Sequence, residues 1–279
     1  MKVGVFSDAI GGDSPEIVAE RTRAAGVEVV QLRTTWPGLD LLECAADRSR
    51  VRRAYEGVGI GVAALAAYCN LLEPDPERRS RIHERIERLI RLAPELGTDL
   101  IVTETGTLNT DGNWADHPRN RTADAWEDLV EVTGRLARLC EQQGLRLAYE
   151  PYVNTVLHSA PAARRLADEV ASPALHFVLD AAGLMTLETL PANREITAAA
   201  CALLGDRLAL AHADDLRYEN GSARWLPLGW GDLDAGAVFA GLVGIGFDGA
   251  LIVEHLKESL VPEALAFCRE RLAQVEGGG

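Results

Sequence analysis

Four residues whose side chains are of types that can bind metal ions stand at or near the ends of short apolar runs. They are Glu150 in LRLAYE, Asp180 in LHFVLD, His212 in LALAHA and Glu254 in ALIVEH. An unpaired carboxylate buried at the tip of a strand costs several kcal/mol or changes its protonation. Several such carboxylates would also repel one another unless a cation lies among them. The residue types therefore predict a divalent metal ion, provided that the fold brings the four side chains together.

The identity of the ion stays open among Mn²⁺, Mg²⁺, Co²⁺ and Zn²⁺, because carboxylate oxygens and an imidazole nitrogen are suitable ligands for this group of ions. None of the five cysteines lies at these positions, which argues against a thiolate-rich structural zinc site. Each residue also has a simpler interpretation, because single polar residues commonly end a strand near the surface. Four of them at the ends of four consecutive strands are much harder to explain in that way.

The wider pattern of the sequence alternates apolar runs with segments of helical character. Eight runs predict strands, at 2–7, 27–33, 59–67, 99–104, 145–150, 175–180, 208–213 and 250–255. Seven segments predict helices, at 14–26, 75–97, 121–144, 159–170, 192–205, 234–246 and 261–275. Such alternation predicts a parallel sheet, and eight units of about 35 residues match the usual (β/α)8 barrel. We therefore expect an α/β protein in which residues 1–279 form a single TIM barrel domain, with 277–279 as a frayed tail.

The alternative fold is a doubly wound open sheet, which the same order of strands and helices allows. The segment FSDAIGGDSP after the first strand has no GxGxxG fingerprint, so the barrel is favoured. In a barrel, the carboxyl ends of all strands converge on one face, where active sites are built. The barrel therefore predicts that the four candidate ligands meet at one mouth.

Three further residues are candidates for contacts with a substrate. Glu104 ends the fourth strand and either contacts the substrate or caps the long loop 105–120. Trp36 follows the second strand and either forms a wall of the pocket or packs on the barrel rim. Arg217 follows the seventh strand and either binds a phosphate or hydroxyl group or lies on the surface. Strand alternation predicts that His255 packs outside the barrel interior.

Composition restricts the classes of partner. The formal net charge of −14 argues against a general affinity for nucleic acid, which needs a basic surface. Five scattered cysteines without CxxC spacing, and an amino terminus without a long apolar core, predict a reduced cytoplasmic protein. No run of about 18 apolar residues occurs, so no membrane span is expected. The net charge does not exclude a small anionic ligand, because local charge can differ from net charge.

The order and context of the candidate ligands resemble the xylose isomerase-like TIM barrel superfamily, which includes sugar phosphate isomerases, epimerases and apurinic endonuclease family 2. Its metal-site pattern is a Glu at strand 5, an Asp at strand 6, a His at strand 7 and a Glu at strand 8. The motifs that carry the resemblance are AYEPY, VLDAAG, AHADD and IVEH, together with PLGWGDLD at 227–234. The resemblance covers essentially the whole chain. The metal ligands that it implies are Glu150, Asp180, His212 and Glu254.

The resemblance implies an isomerase or epimerase of a sugar or sugar-like hydroxy-ketone. Ketose 3-epimerases of the superfamily use the first and last glutamates as an acid–base pair, which implies Glu150 and Glu254 as catalytic residues. One removes a proton next to the carbonyl and the other returns it, while the metal stabilises the enediolate. Two departures leave the substrate open. Gly183 stands where a histidine often contacts sugar hydroxyls, and Asp214 stands in place of a lysine.

Three other functions remain alternatives. A lyase similar to inosose dehydratase would use the same enediolate but expel a β-hydroxyl group. An endonuclease at abasic sites would need additional histidines from early strands and a basic surface, and neither Arg33 nor AAYCN offers a histidine. A non-catalytic subunit would keep the barrel for assembly. Relatives are often dimers or tetramers, so the resemblance is also compatible with a homo-oligomer.

Overall fold

Eight parallel strands close into a ring in the computed structural model, which describes residues 1–277 of the chain. The nine strands of this region are Lys2–Phe6 (β1), Val29–Arg33 (β2), Gly61–Ala66 (β3), Leu100–Thr103 (β4), Arg146–Tyr149 (β5), Leu175–Leu179 (β6), Leu208–Glu219 (β7), Ser222–Pro227 (β8) and Ala250–Val253 (β9). From β1 to β7 each strand pairs with the next, and β9 lies between β7 and β1. The predicted (β/α)8 barrel is therefore confirmed, and the open sheet is excluded.

One strand of the described region, β8, is absent from the sequence prediction. It pairs antiparallel with the outer half of β7, which continues to Glu219 beyond its predicted end at 213. The two strands are joined by Asn220 and Gly221, whose φ angles of 52° and 80° are typical of a tight hairpin turn. An Asn-Gly pair between two strand-like runs is a strong hairpin signal, so β8 could have been predicted.

The segment after β8 is held by a single carboxylate. Asp215 accepts hydrogen bonds from the backbone N–H groups of Leu216, Gly229, Gly231 and Leu233, at donor–acceptor distances of 2.8, 2.9, 2.9 and 3.0 Å. A β-carbon at Gly231 would lie only 2.2 Å from an Asp215 oxygen, so glycine is required there. These bonds explain the PLGWGDLD motif as a backbone cradle for the Asp215 carboxylate.

Eight α-helices in the described region surround the barrel: Pro15–Ala24 (α1), Ala45–Gly57 (α2), Pro76–Leu92 (α3), Ala123–Gln143 (α4), Ala160–Val170 (α5), Asn193–Leu204 (α6), Ala235–Gly244 (α7) and Val261–Gly277 (α8). Seven of them correspond to predicted helices. Helix α2 was not predicted, because its buried face consists of Arg48, Val51 and Tyr55, and only two of these are apolar. The frayed tail predicted at 277–279 begins at the last residue of α8, and residues 278 and 279 lie outside the described region.

The helices begin where the sequence supplies capping residues. The Ser14 side chain accepts a hydrogen bond from the Ile17 N–H, and Pro15 occupies the first helical position of α1. All five cysteines have free thiols, as the predicted reduced state requires. None of the described helices is both long and apolar enough to cross a membrane. The predicted cytoplasmic location and the open oligomeric state stay predictions.

Two apolar clusters fix the barrel. The larger one lies between the sheet and the helices, and the smaller one consists of strand residues: Val29, Ala64, Leu100, Val102, Ala148, Val178, Ala209, Leu210, Ala250 and Ile252. Each candidate metal ligand stands two residues after a member of the smaller cluster. Because side chains alternate along a strand, the ligands share the face of this cluster and lie at its carboxyl end.

Candidate metal centre

The four candidate ligands come together at the carboxyl ends of their strands. Glu150, Asp180 and Glu254 directly follow β5, β6 and β9, and His212 lies within β7. All four are buried, and one ligand atom from each lies within 4.8 Å of the others. The structure therefore juxtaposes the residues that the sequence singled out, and we refer to them below as the metal centre.

A relay of hydrogen bonds determines which nitrogen of His212 faces the carboxylates of the metal centre. The relay consists of Gln31 in β2 and Tyr68, which follows β3. The Tyr68 hydroxyl donates to Glu150 Oε2 at 2.7 Å and accepts from Gln31 Nε2 at 3.0 Å. The other end of the same amide, Gln31 Oε1, lies 2.9 Å from His212 Nε2. Since a carbonyl oxygen only accepts, Nε2 of His212 carries a proton. The relay therefore directs Nδ1 toward the carboxylates.

His212 Nδ1 lies 2.8 Å from Glu254 Oε1 and 3.4 Å from Glu150 Oε1. Both Nδ1 and Glu254 Oε1 are buried without a hydrogen-bond partner of suitable geometry. A nitrogen lone pair and a carboxylate oxygen at this distance repel each other unless a proton or a cation lies between them. Three carboxylates and one imidazole nitrogen form a donor set that fits a divalent ion, with a second group orienting the histidine.

Without a bound cation, protons balance the negative charge of the metal centre. Burial and the charge of Glu150 raise the pKa of Asp180 to about 8. Burial opposes the charged form of His212, but the charges of Glu254 and Glu150 outweigh it and raise its pKa well above the usual range. Burial also opposes ionisation of Glu150, yet the charge on the nearby His212 and the hydrogen bond from Tyr68 lower its pKa to about 2. A cation therefore competes with protons at His212 and Asp180.

Asp180 is additionally fixed by the turn that follows β6. Its Oδ1 accepts a hydrogen bond from the Gly183 N–H at 2.9 Å. A β-carbon at Gly183 would lie 2.9 Å from Asp180 Oδ2, so a side chain at this position would displace the carboxylate. The glycine that departs from the superfamily pattern is therefore part of the support of Asp180.

A cavity of about 450 Å³ opens above the metal centre. Aromatic side chains form most of its wall: Phe6, Tyr68, Trp114, Tyr152 and Trp225. Acidic groups lie at its base and rim, namely Asp8, Glu104, Glu150, Asp180 and Glu254, and His255 completes the lining. No lysine or arginine of the described region lines this cavity. Its chemistry suits an uncharged ligand with polar groups on one side and an apolar face on the other.

Glu104 lines this cavity, as the prediction of a substrate contact requires. It directly follows β4 and is buried. Burial and the charges of Glu150, Asp180 and Glu254 raise its pKa well above the usual range. The raised pKa favours the protonated form of Glu104, which can donate a hydrogen bond.

Trp36 and Arg217 lie away from the cavity, so their positions do not support the predicted contacts with substrate. Trp36 is buried on the rim, where its ring contacts the Arg33 guanidinium at 4.0 Å and the edge of Tyr55. Arg217 lies on the β7–β8 hairpin, and its Nε donates to Asp232 at 3.0 Å.

The prediction for His255 is wrong. Strand β9 ends at Val253, and His255 has a φ of 53°, so strand alternation no longer applies to it. Its ring stacks on Trp225 with centroids 4.8 Å apart and lines the cavity. Gln31, Tyr68 and Trp225 were not identified from the sequence. Gln31 stands two residues after Val29 of the smaller apolar cluster, and this spacing is the sequence signal that could have identified Gln31.

The comparisons with known proteins place this barrel among characterised folds. A family model described as xylose isomerase-like TIM barrel matches residues 19–271 of the chain. The search of curated proteins found no match. Among solved structures, L-ribulose 3-epimerase has a TM-score of 0.78 at 17% identity, covering 99% of this chain and 96% of its own.

Two other solved structures share the fold. A probable 3-DHS dehydratase involved in petrobactin synthesis from Bacillus anthracis has a TM-score of 0.75 at 15% identity, covering 96% of this chain and 99% of its own. A xylose isomerase-like TIM barrel protein from Mycobacterium smegmatis, in complex with magnesium, has a TM-score of 0.72 at 16% identity, covering 93% and 88%. At these identities the likeness establishes a common barrel architecture.

Proposed function

The chain belongs to the xylose isomerase-like TIM barrel family, and we propose that it is a divalent-metal-dependent isomerase or epimerase of an uncharged, sugar-like hydroxy-ketone. The observation that carries the proposal is the orientation of His212. Its Nδ1 faces Glu254 at 2.8 Å and Glu150 at 3.4 Å, in a buried group that needs a positive charge. A scaffold protein has no reason to keep such an arrangement, because burying it costs stability.

In this proposal the four residues of the metal centre hold the cation. When bound, the ion supplies positive charge beside the oxygen atoms of the substrate, where negative charge develops during proton transfer. Gln31 and Tyr68 keep His212 and Glu150 in position, as groups behind metal ligands commonly do. Orientation of the ligands is thereby set before any substrate enters.

Glu150 and Glu254 act as the acid–base pair. They follow strands β5 and β9, which are separated in the ring by β6 and β7, and both line the cavity. One carboxylate takes the proton from the carbon next to the carbonyl, and the other gives a proton back. Return to the opposite face inverts the carbon, whereas return to the neighbouring carbon moves the carbonyl. Glu104, held as an acid, donates a hydrogen bond to a substrate oxygen.

The lining of the cavity indicates the kind of substrate. Lysine and arginine are absent from the lining in the described region, so the site lacks the usual partners of phosphate and carboxylate groups. The aromatic walls suit the C–H face of a sugar or cyclitol ring. L-ribulose 3-epimerase, which shares the fold, is named for an uncharged ketose and is consistent with this substrate class.

A dehydratase is the second candidate. Loss of water from the same enediolate needs an acid beside the leaving hydroxyl group. Glu104 lines the cavity, its raised pKa favours the protonated acid, and it is not one of the four proposed metal ligands. The dehydratase from Bacillus anthracis has the same barrel.

The test is incubation of the Mn²⁺-loaded protein with a panel of free ketoses and inososes in deuterium oxide, followed by NMR. Deuterium at the carbon next to the carbonyl with inversion or carbonyl transfer supports the isomerase. Deuterium with loss of water supports the dehydratase. Phosphorylated ketoses serve as a control, since they should not react. If no substrate in the panel exchanges its proton, and the metal-loaded protein is shown to be folded, the result contradicts both candidate functions.

A further inference from the structure

We propose that Asp214, Glu254 and His255 bind a second divalent cation beside the metal centre. These residues offer two carboxylates and one imidazole, with ligand atoms that lie within 4.8 Å of one another. The group is referred to below as the second site. It shares Glu254 with the metal centre but requires two residues to which the proposed isomerase mechanism assigns no role.

Asp214 is the first argument for the second site. It is 1% exposed, and neither of its carboxylate oxygens has a hydrogen-bond partner. By contrast, the carboxylate of its neighbour Asp215 has a structural role and accepts hydrogen bonds from four backbone N–H groups. A buried carboxylate without any donor costs several kcal/mol unless a proton or a positive charge compensates it. Asp214 also stands two residues after His212 on β7, so both side chains point to the same face.

His255 is the second argument. The chain turns at this residue with a φ of 53°, a conformation that few non-glycine residues adopt and that marks functional sites. The turn brings His255 Nε2 to 4.0 Å from Asp214 Oδ2 and to 3.8 Å from Glu254 Oε1. Trp225 stacks on the ring and holds it there. If β9 had continued through residue 255, the histidine side chain would instead point away from the cavity.

The distances suit one ion. Two ligand atoms that share a cation with bonds of about 2.1 Å can lie at most roughly 4.2 Å apart. The two measured separations, 4.0 and 3.8 Å, fall within that limit. Oxygen and imidazole ligands suit Mn²⁺, Mg²⁺ or Zn²⁺. Glu254 Oε1 has no hydrogen-bond partner, so Glu254 is free to bridge the two ions.

The second site faces the cavity in which the proposed substrate would bind. His255 and Glu254 both line the cavity, and the His255 side chain is 46% exposed. Three protein ligands leave coordination positions for oxygen atoms from solvent or substrate. Two cations that share a carboxylate would hold two neighbouring oxygens of a hydroxy-ketone, which is the geometry of two-metal sites in other enzymes. The second ion would thereby supply positive charge that no lysine or arginine of the lining provides.

The experiment counts ions. The protein is dialysed to equilibrium against Mn²⁺ at physiological ionic strength, and bound Mn²⁺ per chain is measured by mass spectrometry of the metal. We expect two ions in the unaltered chain and one in Asp214→Asn and in His255→Gln. Asp248→Asn, an exposed residue at the opposite end of β9, is the matched control and should retain two. Electron paramagnetic resonance should show magnetic coupling between the two ions, which Asp214→Asn abolishes.

Three outcomes overturn the second site. One ion in the unaltered chain, unchanged in Asp214→Asn, means that protonated His255 merely pairs with the carboxylates, and the metal centre and the proposed function stand. Two ions that persist in Asp214→Asn and His255→Gln place the second ion elsewhere. Binding of no ion overturns the metal centre as well. Circular dichroism establishes that each variant is folded, and the count in the unaltered chain depends on no substitution.

Discussion

The two halves of the barrel mouth differ in charge. Strands β4 to β7 and β9 supply the ionisable residues, which are Glu104, Glu150, Asp180, His212, Asp214 and Glu254. Strands β1 to β3 and the residues after them supply Phe6, Gln31 and Tyr68, which carry no charge at neutral pH, and one ion pair in which Arg33 lies 3.7 Å from Asp8. This half is therefore neutral as a whole. Yet the neutral half determines the protonation of the charged half, because the Tyr68–Gln31 relay fixes the tautomer of His212. Ligands and their orientation therefore come from opposite sides of one barrel.

The largest effect is expected in the charged half. In the proposed mechanism Glu150 is both a metal ligand and one of the two acid–base groups, so in Glu150→Gln the turnover of the substrate found in the deuterium experiment should fall by about 10² to 10⁴. Steady-state kinetics measures the change. Glu131→Gln, on the exposed face of α4, is the matched control and should keep full turnover. Turnover within a few-fold of the unaltered protein in Glu150→Gln would contradict the acid–base pair.

The neutral half should produce a smaller effect of a different kind. Gln31→Ala removes the acceptor that fixes His212, and loss of such an orienting group lowers metal affinity by about 10- to 100-fold. Calorimetric titration with Mn²⁺ measures this affinity. Gln142→Ala, at an exposed position of α4, should bind Mn²⁺ normally. If Gln31→Ala bound Mn²⁺ as tightly as the unaltered chain, the relay would have no role in binding.

The same contrast explains what the sequence could reveal. Carboxylates and a histidine at the ends of apolar runs are conspicuous, so Glu150, Asp180 and His212 were identifiable together with the barrel. Gln31 and Tyr68 are ordinary residue types within a strand or just after one, and their importance depends on partners far along the chain. Hydrogen bonds between distant residues leave no local pattern, because only the folded ring brings the partners together.

His255 and helix α2 show two other limits. Alternation along a strand predicts a side-chain direction only while the strand lasts, and β9 ends two residues before His255. Helix α2 buries Arg48 through its contacts with Glu95 and the Leu41 carbonyl, so its buried face is not an apolar stripe. In both cases tertiary contacts overrode the local rule on which the prediction depended.

The charged half should also make the metal-free protein sensitive to pH. The pKa of Asp180 in the folded chain is about 8, against an ordinary value of 3.8, so its contribution to stability decreases as pH rises toward 8. His212 has a raised pKa and acts in the same direction. The free energy of unfolding should fall by about 1.4 kcal/mol per pH unit for each such group. Urea unfolding in the presence of a chelator measures it.

The informative range lies between pH 6.5 and about 8. Below 6.5, the half-buried histidines His83, His158 and His176 have lowered pKa values and act in the opposite direction. Saturating Mn²⁺ should weaken the dependence, because the cation replaces the protons at Asp180 and His212. A chelated protein whose stability stays constant or rises from pH 7 to 8 would contradict the raised pKa values.

The smallest effects are expected on the β7–β8 hairpin, which belongs to neither half of the mouth. Trp225 lines the cavity, whereas Arg217 pairs with Asp232 away from it. Trp225→Ala should raise KM by about tenfold, the equivalent of roughly 1 to 2 kcal/mol of aromatic contact. Arg217→Ala should change KM less than about threefold, since exposed ion pairs contribute about 0 to 1 kcal/mol. Equal effects on KM would show that the hairpin acts as a whole rather than through Trp225.

The hydrogen bonds of the Asp215 carboxylate affect how the cavity wall that carries Trp225 can vary in length and sequence. All four of its N–H donors lie between 216 and 233, so the segment satisfies this buried charge with its own backbone. Residues 215–233, which comprise the outer part of β7, the strand β8 and the turn before α7, thus form a nearly self-contained segment. Exchanging this segment for one of another length would reshape the entrance of the cavity for a different ligand, while Glu150, Asp180 and His212 would stay in place on strands outside it.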